Sequence, residues 1–193
     1  SFPLLLGMVL VNRMLIPIYR EWPPLESAEN FARLRKMRFA VSLALFGMVA
    51  VFGLGGVWIV EFLYDSRYAQ AGPITVLVAL MQIPFLIALT YDQAALATGD
   101  SKRFFVLAGT KAAFTVACLY IGLVLDGLSG AIIGQGAAMV LAYPVVVWLS
   151  KHTGAWDALH DGVLAALGIL LALLCYWTNR EALDALIAIS ANA

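Results

Sequence analysis

Long apolar runs alternate with short polar breaks along this chain. The runs fall at about 2–19, 39–63, 72–98, 104–125, 128–149 and 160–177. None alternates with the period of two that marks a strand, and each is close to the roughly 20 residues that a helix needs to cross a hydrocarbon core. The pattern predicts an all-α fold, a polytopic transmembrane bundle of about six membrane-spanning helices over residues 1–193. The piece 181–190 either lies at the membrane interface or begins a further helix.

Composition supports a membrane environment. Hydrophobic residues make up 63% of the chain, charged residues only 12%, and the mean hydropathy is +0.91, whereas soluble domains carry about 25% charged residues. The formal net charge is zero, so no overall basic field favours a nucleic-acid partner. Cys118 and Cys175 both lie inside apolar runs, where we expect them to act as small packing residues.

The basic residues predict the orientation of the bundle. Those in the loop 20–38 are Arg20, Arg33, Arg35, Lys36 and Arg38. The loops at 99–103 and 150–159 add further lysine and arginine, whereas the opposite end holds only Arg67 and Arg180. Because basic loops remain on the cytoplasmic side, the loops at 20–38, 99–103 and 150–159 are predicted to be cytoplasmic.

The first loop also contains a helix signal. Pro23 and Pro24 break the chain, Ser27 is a suitable helix cap, and apolar residues then recur every third position at Phe31, Leu34 and Met37. We expect an amphipathic cytoplasmic extension of the second span. Its arginines are predicted to lie on a solvated face, with contact to lipid headgroups as the alternative.

Charged residues inside the spans are candidates for a substrate or ion pathway, because an isolated charge in lipid is costly. Asp92 precedes Gly99 by seven residues and Lys111 follows Phe104 by seven, which places both roughly 10 Å from the cytoplasmic end. Arg13 reaches a similar depth. Asp92 is therefore expected to pair with Lys111 or Arg13, either to fix helix packing or to handle substrate or ions.

Two glutamines are further candidates for the pathway, and a repeat of small residues indicates helix packing. Gln93 and Gln135 are pathway candidates, although an interhelical hydrogen bond is the simpler role. Small residues repeat every four positions on the fifth span, at Gly130, Gly134, Ala138 and Ala142, and predict a tight helix contact. Prolines inside three spans predict kinks; they are Pro17, Pro84 and Pro144.

No catalytic constellation is evident. His152, His160, Asp157 and Asp161 lie near the last cytoplasmic loop, but their spacing matches no metal motif and we expect a solvated loop. The chain has no phosphate-binding glycine loop, no nucleophile elbow and no CxxC. The sequence therefore predicts a protein that is not an enzyme and uses no cofactor or metal.

Several stretches together resemble one transporter family. LYDSRYAQAGPITVLVAL at 63–80, with Tyr64, Arg67, Tyr68, Ala71 and Ile74, is similar to the outer break of bacterial polysaccharide exporters. ALATGDSKRFF at 95–105 resembles their short cytoplasmic link, and GLSGAIIGQGAAMVLAYPVVVW at 127–148 resembles their glycine-rich helix. The family is the lipid-linked oligosaccharide flippases of the multidrug, oligosaccharidyl-lipid and polysaccharide exporter superfamily.

The resemblance implies a multi-pass protein of the bacterial inner membrane that flips undecaprenyl-pyrophosphate-linked oligosaccharide outward during cell-surface polysaccharide synthesis. It implies two similar lobes around a cavity, with this chain similar to the carboxy-terminal lobe. The partners would be membrane lipids, the lipid-linked glycan and an N-terminal lobe of the same protein. Because the chain opens inside an apolar run, we expect it to belong to something longer.

The resemblance gives roles to the charged candidates but leaves alternatives open. Arg13 and Lys111 would neutralise the diphosphate or an acidic sugar, and Asp92 would tune them or couple an ion. A cation-coupled exporter of small molecules would instead depend on Asp92 as a protonating carboxylate. The chain could also be a structural subunit, or an intramembrane transferase using Asp92 or His152.

Overall fold

The computed structural model describes residues 9, 13, 15, 17–92, 94 and 99–190. Within this part of the chain the secondary structure is helical, with no strand, which confirms the predicted all-α fold. The first predicted span, 2–19, lies largely outside the described residues. A membrane favours an all-α fold because a helix satisfies its backbone hydrogen bonds within one segment.

Helix α1, Ala28–Leu63, combines the predicted extension and the second span in 36 residues. Its amino end is capped as predicted, since the Ser27 side chain accepts a hydrogen bond from the Asn30 backbone N–H at 3.0 Å. Leu34 is buried in the extension, and Phe31 and Met37 beside it are partly buried. The predicted amphipathic extension is therefore confirmed.

The third span is interrupted rather than continuous. After a short 3-10 turn at Ser66–Tyr68, the chain forms α2, Ala71–Met81, and α3, Ile83–Leu89. Pro84 lies in the first turn of α3 and has no N–H to donate to the preceding turn, so the chain tightens at Gln82, whose N–H bonds Ala79 O at 3.2 Å. The prediction of one continuous helix over 72–98 is therefore wrong. Residues 95–98 lie outside the described part.

Helix α4, Ser101–His152, folds back on itself. Asp126 and Gly127 have non-helical dihedral angles, and Gly127 adopts a positive φ of 54°. On either side of this turn the backbones touch, since a Cβ on Gly130 would lie 2.1 Å from Gly122 O and one on Gly134 would lie 2.2 Å from Cys118 O. The element is therefore an antiparallel hairpin, as the runs 104–125 and 128–149 and the small-residue repeat predict.

The chain ends its described part with α5, Ala158–Thr178, and α6, Arg180–Ser190. Between them the Asn179 amide donates to Gly53 O at 3.1 Å, and the Cys175 side chain packs against Gly53. Helix α6 has 11 residues, about 17 Å, too short to cross roughly 30 Å of hydrocarbon. It buries Leu183 and Leu186 and exposes Arg180 and Asp184, so the segment is amphipathic.

Four helical stretches are long and apolar enough to cross a membrane: α1, α2 with α3, α4, and α5. Because α4 folds back near its middle, the described residues supply five crossings. Helix α1 packs against α2 and α5, while α4 packs against α2, α3 and α6. The loops at 20–27, 99–100 and 153–157 gather at one end of the bundle, called here the basic end because most lysines and arginines lie there.

Candidate functional site

A buried polar cluster lies where α1, α3, α4 and α5 meet near the basic end. Its central cation is Arg38, which has no solvent exposure. Arg38 Nε donates to Thr90 Oγ1 at 3.2 Å, and Nη1 donates to Ala155 O at 2.5 Å. Its guanidinium carbon lies 3.7 Å from the centre of the Tyr91 ring. Hydrogen bonds and stacking thus compensate part of the cost of removing this charge from water, while Arg38 Nη2 has no hydrogen-bond partner among the described residues.

The central anion of the cluster is Asp161, which is 5% exposed. Its Oδ1 accepts from the Tyr91 hydroxyl at 2.6 Å and contacts His160 Nδ1 at 2.9 Å. Its Oδ2 accepts from the Tyr143 hydroxyl at 2.6 Å. Three donors from three parts of the chain therefore satisfy one carboxylate, which is the condition for keeping it buried.

His160 connects this carboxylate to α1. Its Nε2 lies 3.1 Å from Ser42 Oγ, and its ring packs edge-on against Phe39. A neutral imidazole with its proton on Nδ1 donates to Asp161 and accepts from Ser42, so both ring nitrogens are paired. His160 is fully buried. Hydrogen bonds link Ser42, His160, Asp161 and Tyr143 in a continuous row from α1 to α4.

An ion pair borders the cluster toward the basic end. Arg35 contacts Asp157 through Nε–Oδ2 at 2.5 Å and Nη2–Oδ1 at 3.1 Å. Asp157 also caps α5 by accepting from the Leu159 and His160 backbone N–H groups. Burial raises the pKa of the Asp157 carboxyl, but the hydrogen bonds from Arg35 and His160 N–H outweigh it and lower the pKa below its usual value.

Beside the cluster, a groove of about 600 Å³ runs along the membrane-spanning parts of α3, α4 and α5. Most of its wall is apolar, and small residues of α5 line one side; they are Ala158, Gly162, Ala165, Gly168 and Ala172. Its polar lining residues are Tyr143, Trp156 and Asp161, all near the basic end. The Trp156 indole interacts with the Tyr143 hydroxyl next to it. The groove is therefore polar at the basic end and apolar over the rest of its length.

A cation stands next to this polar end. The Lys151 ammonium lies 4.5 Å from the centre of the Trp156 ring, and Lys151 itself is exposed. A favourable cation–π contact can hold the ammonium beside the groove without neutralising it. Among the three polar lining residues, Tyr143 and Trp156 carry N–H or O–H groups, so donors and a positive charge gather at one end.

The predicted pairing of Asp92 with Lys111 is confirmed. Lys111 Nζ lies 2.5 Å from Asp92 Oδ1, and the two side chains are 13% and 20% exposed. Lys111 also lies 5.9 Å from the Phe85 ring centre. Arg13, the other cation considered as a partner, is exposed. Depth estimated from the sequence therefore left two candidate partners for Asp92, and the structure pairs it with Lys111.

The remaining pathway candidates do not join this cluster in the described structure. Gln135 is exposed on α4, and Gln93 lies outside the described residues. Within the described part, no group of three or more His, Cys, Asp and Glu side chains is placed to hold a metal ion.

The expectation of a solvated loop at 152–161 is correct for His152, which is exposed, and wrong for the other three residues. Asp157, His160 and Asp161 are buried because Arg35, Tyr91 and Tyr143 pair with them. The arginine face predicted to be solvated is also corrected, since Arg38 is buried. A signal was present: Leu34, Arg38 and Ser42 are spaced four apart and share the buried face of α1.

Comparison with known proteins gives no relative for this chain: no protein-family model, no curated protein and no solved structure matches it.

Proposed function

We propose that this membrane protein takes part in moving a lipid-linked oligosaccharide, carried on undecaprenyl pyrophosphate, from the cytoplasmic to the outer leaflet of the bacterial inner membrane. In this proposal the chain supplies one lobe of a transporter and does no covalent chemistry. An N-terminal lobe, as the resemblance to exporters implies, would complete the path.

The observation that carries the proposal is the amphipathic groove. Its apolar walls run through α3, α4 and α5 at membrane depth, where they suit an isoprenoid chain. Its polar lining residues, Tyr143, Trp156 and Asp161, lie near the basic end. A substrate with a long hydrocarbon tail and a phosphate head has the same division of polarity.

The head of the substrate would be recognised by the donors and the cation at that end. The Trp156 indole N–H, which lies beside the Tyr143 hydroxyl, would donate to a phosphate oxygen. Lys151, 4.5 Å from the Trp156 ring centre, would supply the opposite charge. Asp161 repels an anion, but its charge is shared with the donors Tyr91, Tyr143 and His160.

Surface-glycan display in cells that lack their own flippase tests this proposal. The full-length protein containing this chain should restore display, and Lys151→Gln should reduce it several-fold because the head loses its cation. Lys102→Gln is the matched control, since Lys102 is exposed at the same end and does not line the groove. It should leave display unchanged. No display from well-expressed protein with several glycan types would contradict the proposal.

Cation-coupled export of small molecules is the second candidate, and the Asp92–Lys111 pair favours it. A carboxylate held by one lysine at 2.5 Å and partly exposed can exchange its partner for an ion. Asp92→Asn separates the two functions. An exporter coupled through Asp92 should lose drug efflux at normal protein yield, whereas a glycan flippase in which the pair only joins two spans should keep display.

A further inference from the structure

The groups around His160 form a site that can hold an extra proton. The imidazole is enclosed between the Asp161 carboxylate at 2.9 Å and the Ser42 hydroxyl at 3.1 Å. A serine hydroxyl can donate or accept, and a carboxylate accepts from either form of the ring. Both ring nitrogens therefore have a suitable partner whether the imidazole is neutral or cationic.

We propose that His160 and Asp161 are a proton-binding site linked to occupation of the groove. The proton adds to the His160 Nε2 lone pair. The Ser42 hydroxyl then turns from donor to acceptor, and its hydrogen can bond the carbonyl four residues earlier in α1, a bond that serine commonly makes in helices. No partner is left unpaired by the change.

The charges facing this site set its balance. The charged groups are Arg35 and Arg38 of α1 and Asp157 and Asp161 at the start of α5. Two titratable hydroxyls also face the site, Tyr91 from the third span and Tyr143 from α4. Arg38 opposes a second cation, but it stacks on the Tyr91 ring and bonds Thr90 and Ala155. Arg35 is neutralised by Asp157. Asp161 is the anion in direct contact with His160.

Asp161 also connects the proton to the groove, because Asp161 and its donor Tyr143 both line the wall. Without the proton, the carboxylate presents a negative charge to any bound head. With it, the adjacent imidazolium cancels that charge, so a phosphate head should bind more tightly. This link rests on the proposed function, whereas the proton site itself does not.

The chain has two histidines, so His152→Asn leaves His160 as the one imidazole to observe. The variant, with ¹⁵N-labelled histidine in lipid nanodiscs, would be followed by NMR. The ¹⁵N shifts distinguish the neutral ring from the imidazolium, and we expect both forms to be seen as the pH is lowered. A ring that stays neutral throughout would overturn the proton site.

Two further samples separate this site from an ordinary buried histidine. Adding Asp161→Asn removes the anion, so protonation should require a lower pH; an unchanged midpoint would show that Asp161 is not part of the site. Replacing both histidines by Asn should remove the imidazole signal. A signal that remains would show that the one followed does not come from His160.

The link to the groove is tested with polyprenyl phosphate in the nanodisc and with the uncharged polyprenol as control. By reciprocity, each tenfold gain in phosphate affinity on protonation raises the His160 midpoint by about one pH unit. We expect the phosphate to raise the midpoint and the alcohol to leave it unchanged. No shift with either lipid would overturn the link. Loss of glycan display, measured separately in cells, would instead count against the proposed function.

Discussion

Two groups of charged side chains lie near the basic end of the bundle, and they are held in different ways. Arg38 and Asp161 are almost fully buried, and each has several partners drawn from different helices. Asp92 and Lys111 are partly exposed, and they are joined by a single contact of 2.5 Å. The first group can fix the helices in one arrangement, whereas the second can open at the loss of one contact.

Removing Arg38 is expected to have the largest effect. Arg38→Met removes its bonds to Thr90 and Ala155 and its stacking on the Tyr91 ring. Breaking a buried charge arrangement by removing one partner costs about 3–5 kcal/mol, so unfolding in mixed micelles should occur at much lower denaturant. Arg33→Met is the control, because its pair with Glu29 is exposed and contributes about 0–1 kcal/mol. Equal effects of the two changes would remove the distinction between the groups.

Separating Asp92 from Lys111 should have a smaller effect. Asp92→Asn and Lys111→Met each lose one partly exposed ion pair, and a double-mutant cycle should give a coupling of about 0.5–3 kcal/mol in the stability measured in micelles. The exchange of the two charges should recover folded yield if the pair only joins the spans. Good yield in both single variants together with lost transport, and no recovery on exchange, would place the pair in the mechanism instead.

The smallest effect is expected at Arg35, and it should depend on pH. The folded-state pKa of Asp157 is lowered, so its contribution to stability is present above the unfolded value near 4 and is lost as the pH falls through the lower folded value. Arg35→Gln should therefore be less stable than the parent near pH 7, and the difference should shrink below about pH 4. A difference in thermal midpoint that is constant with pH would show that Arg35 acts through packing alone.

These differences also show what could be predicted from the sequence. The crossings in the described part followed from the lengths of apolar runs, and the fold-back at Asp126–Gly127 followed from a polar break. The Asp92–Lys111 contact followed from equal depth on two spans joined by a short loop. In each case the information is local, because neighbouring spans are constrained to meet.

The buried cluster depends on contacts between distant parts of the chain. Arg38 bonds Ala155, 117 residues away, and Arg35 bonds Asp157, 122 residues away. From the sequence alone, a loop rich in Asp and His is better explained by solvation than by burial. The break at Gln82 was also missed, because Pro84 predicts a kink without telling whether the helix continues.

The most direct test of the proposed substrate path is photo-crosslinking from α5 with a radiolabelled lipid-linked glycan. A photoreactive residue would replace Ala165, which lines the groove, or the next residue Ala166, which is exposed and does not line it. We predict several-fold stronger labelling by the glycan lipid from position 165 than from position 166, with ordinary phospholipid reaching both. Equal labelling from the two positions, or labelling by phospholipid alone, would contradict the groove as the path of a lipid-linked glycan.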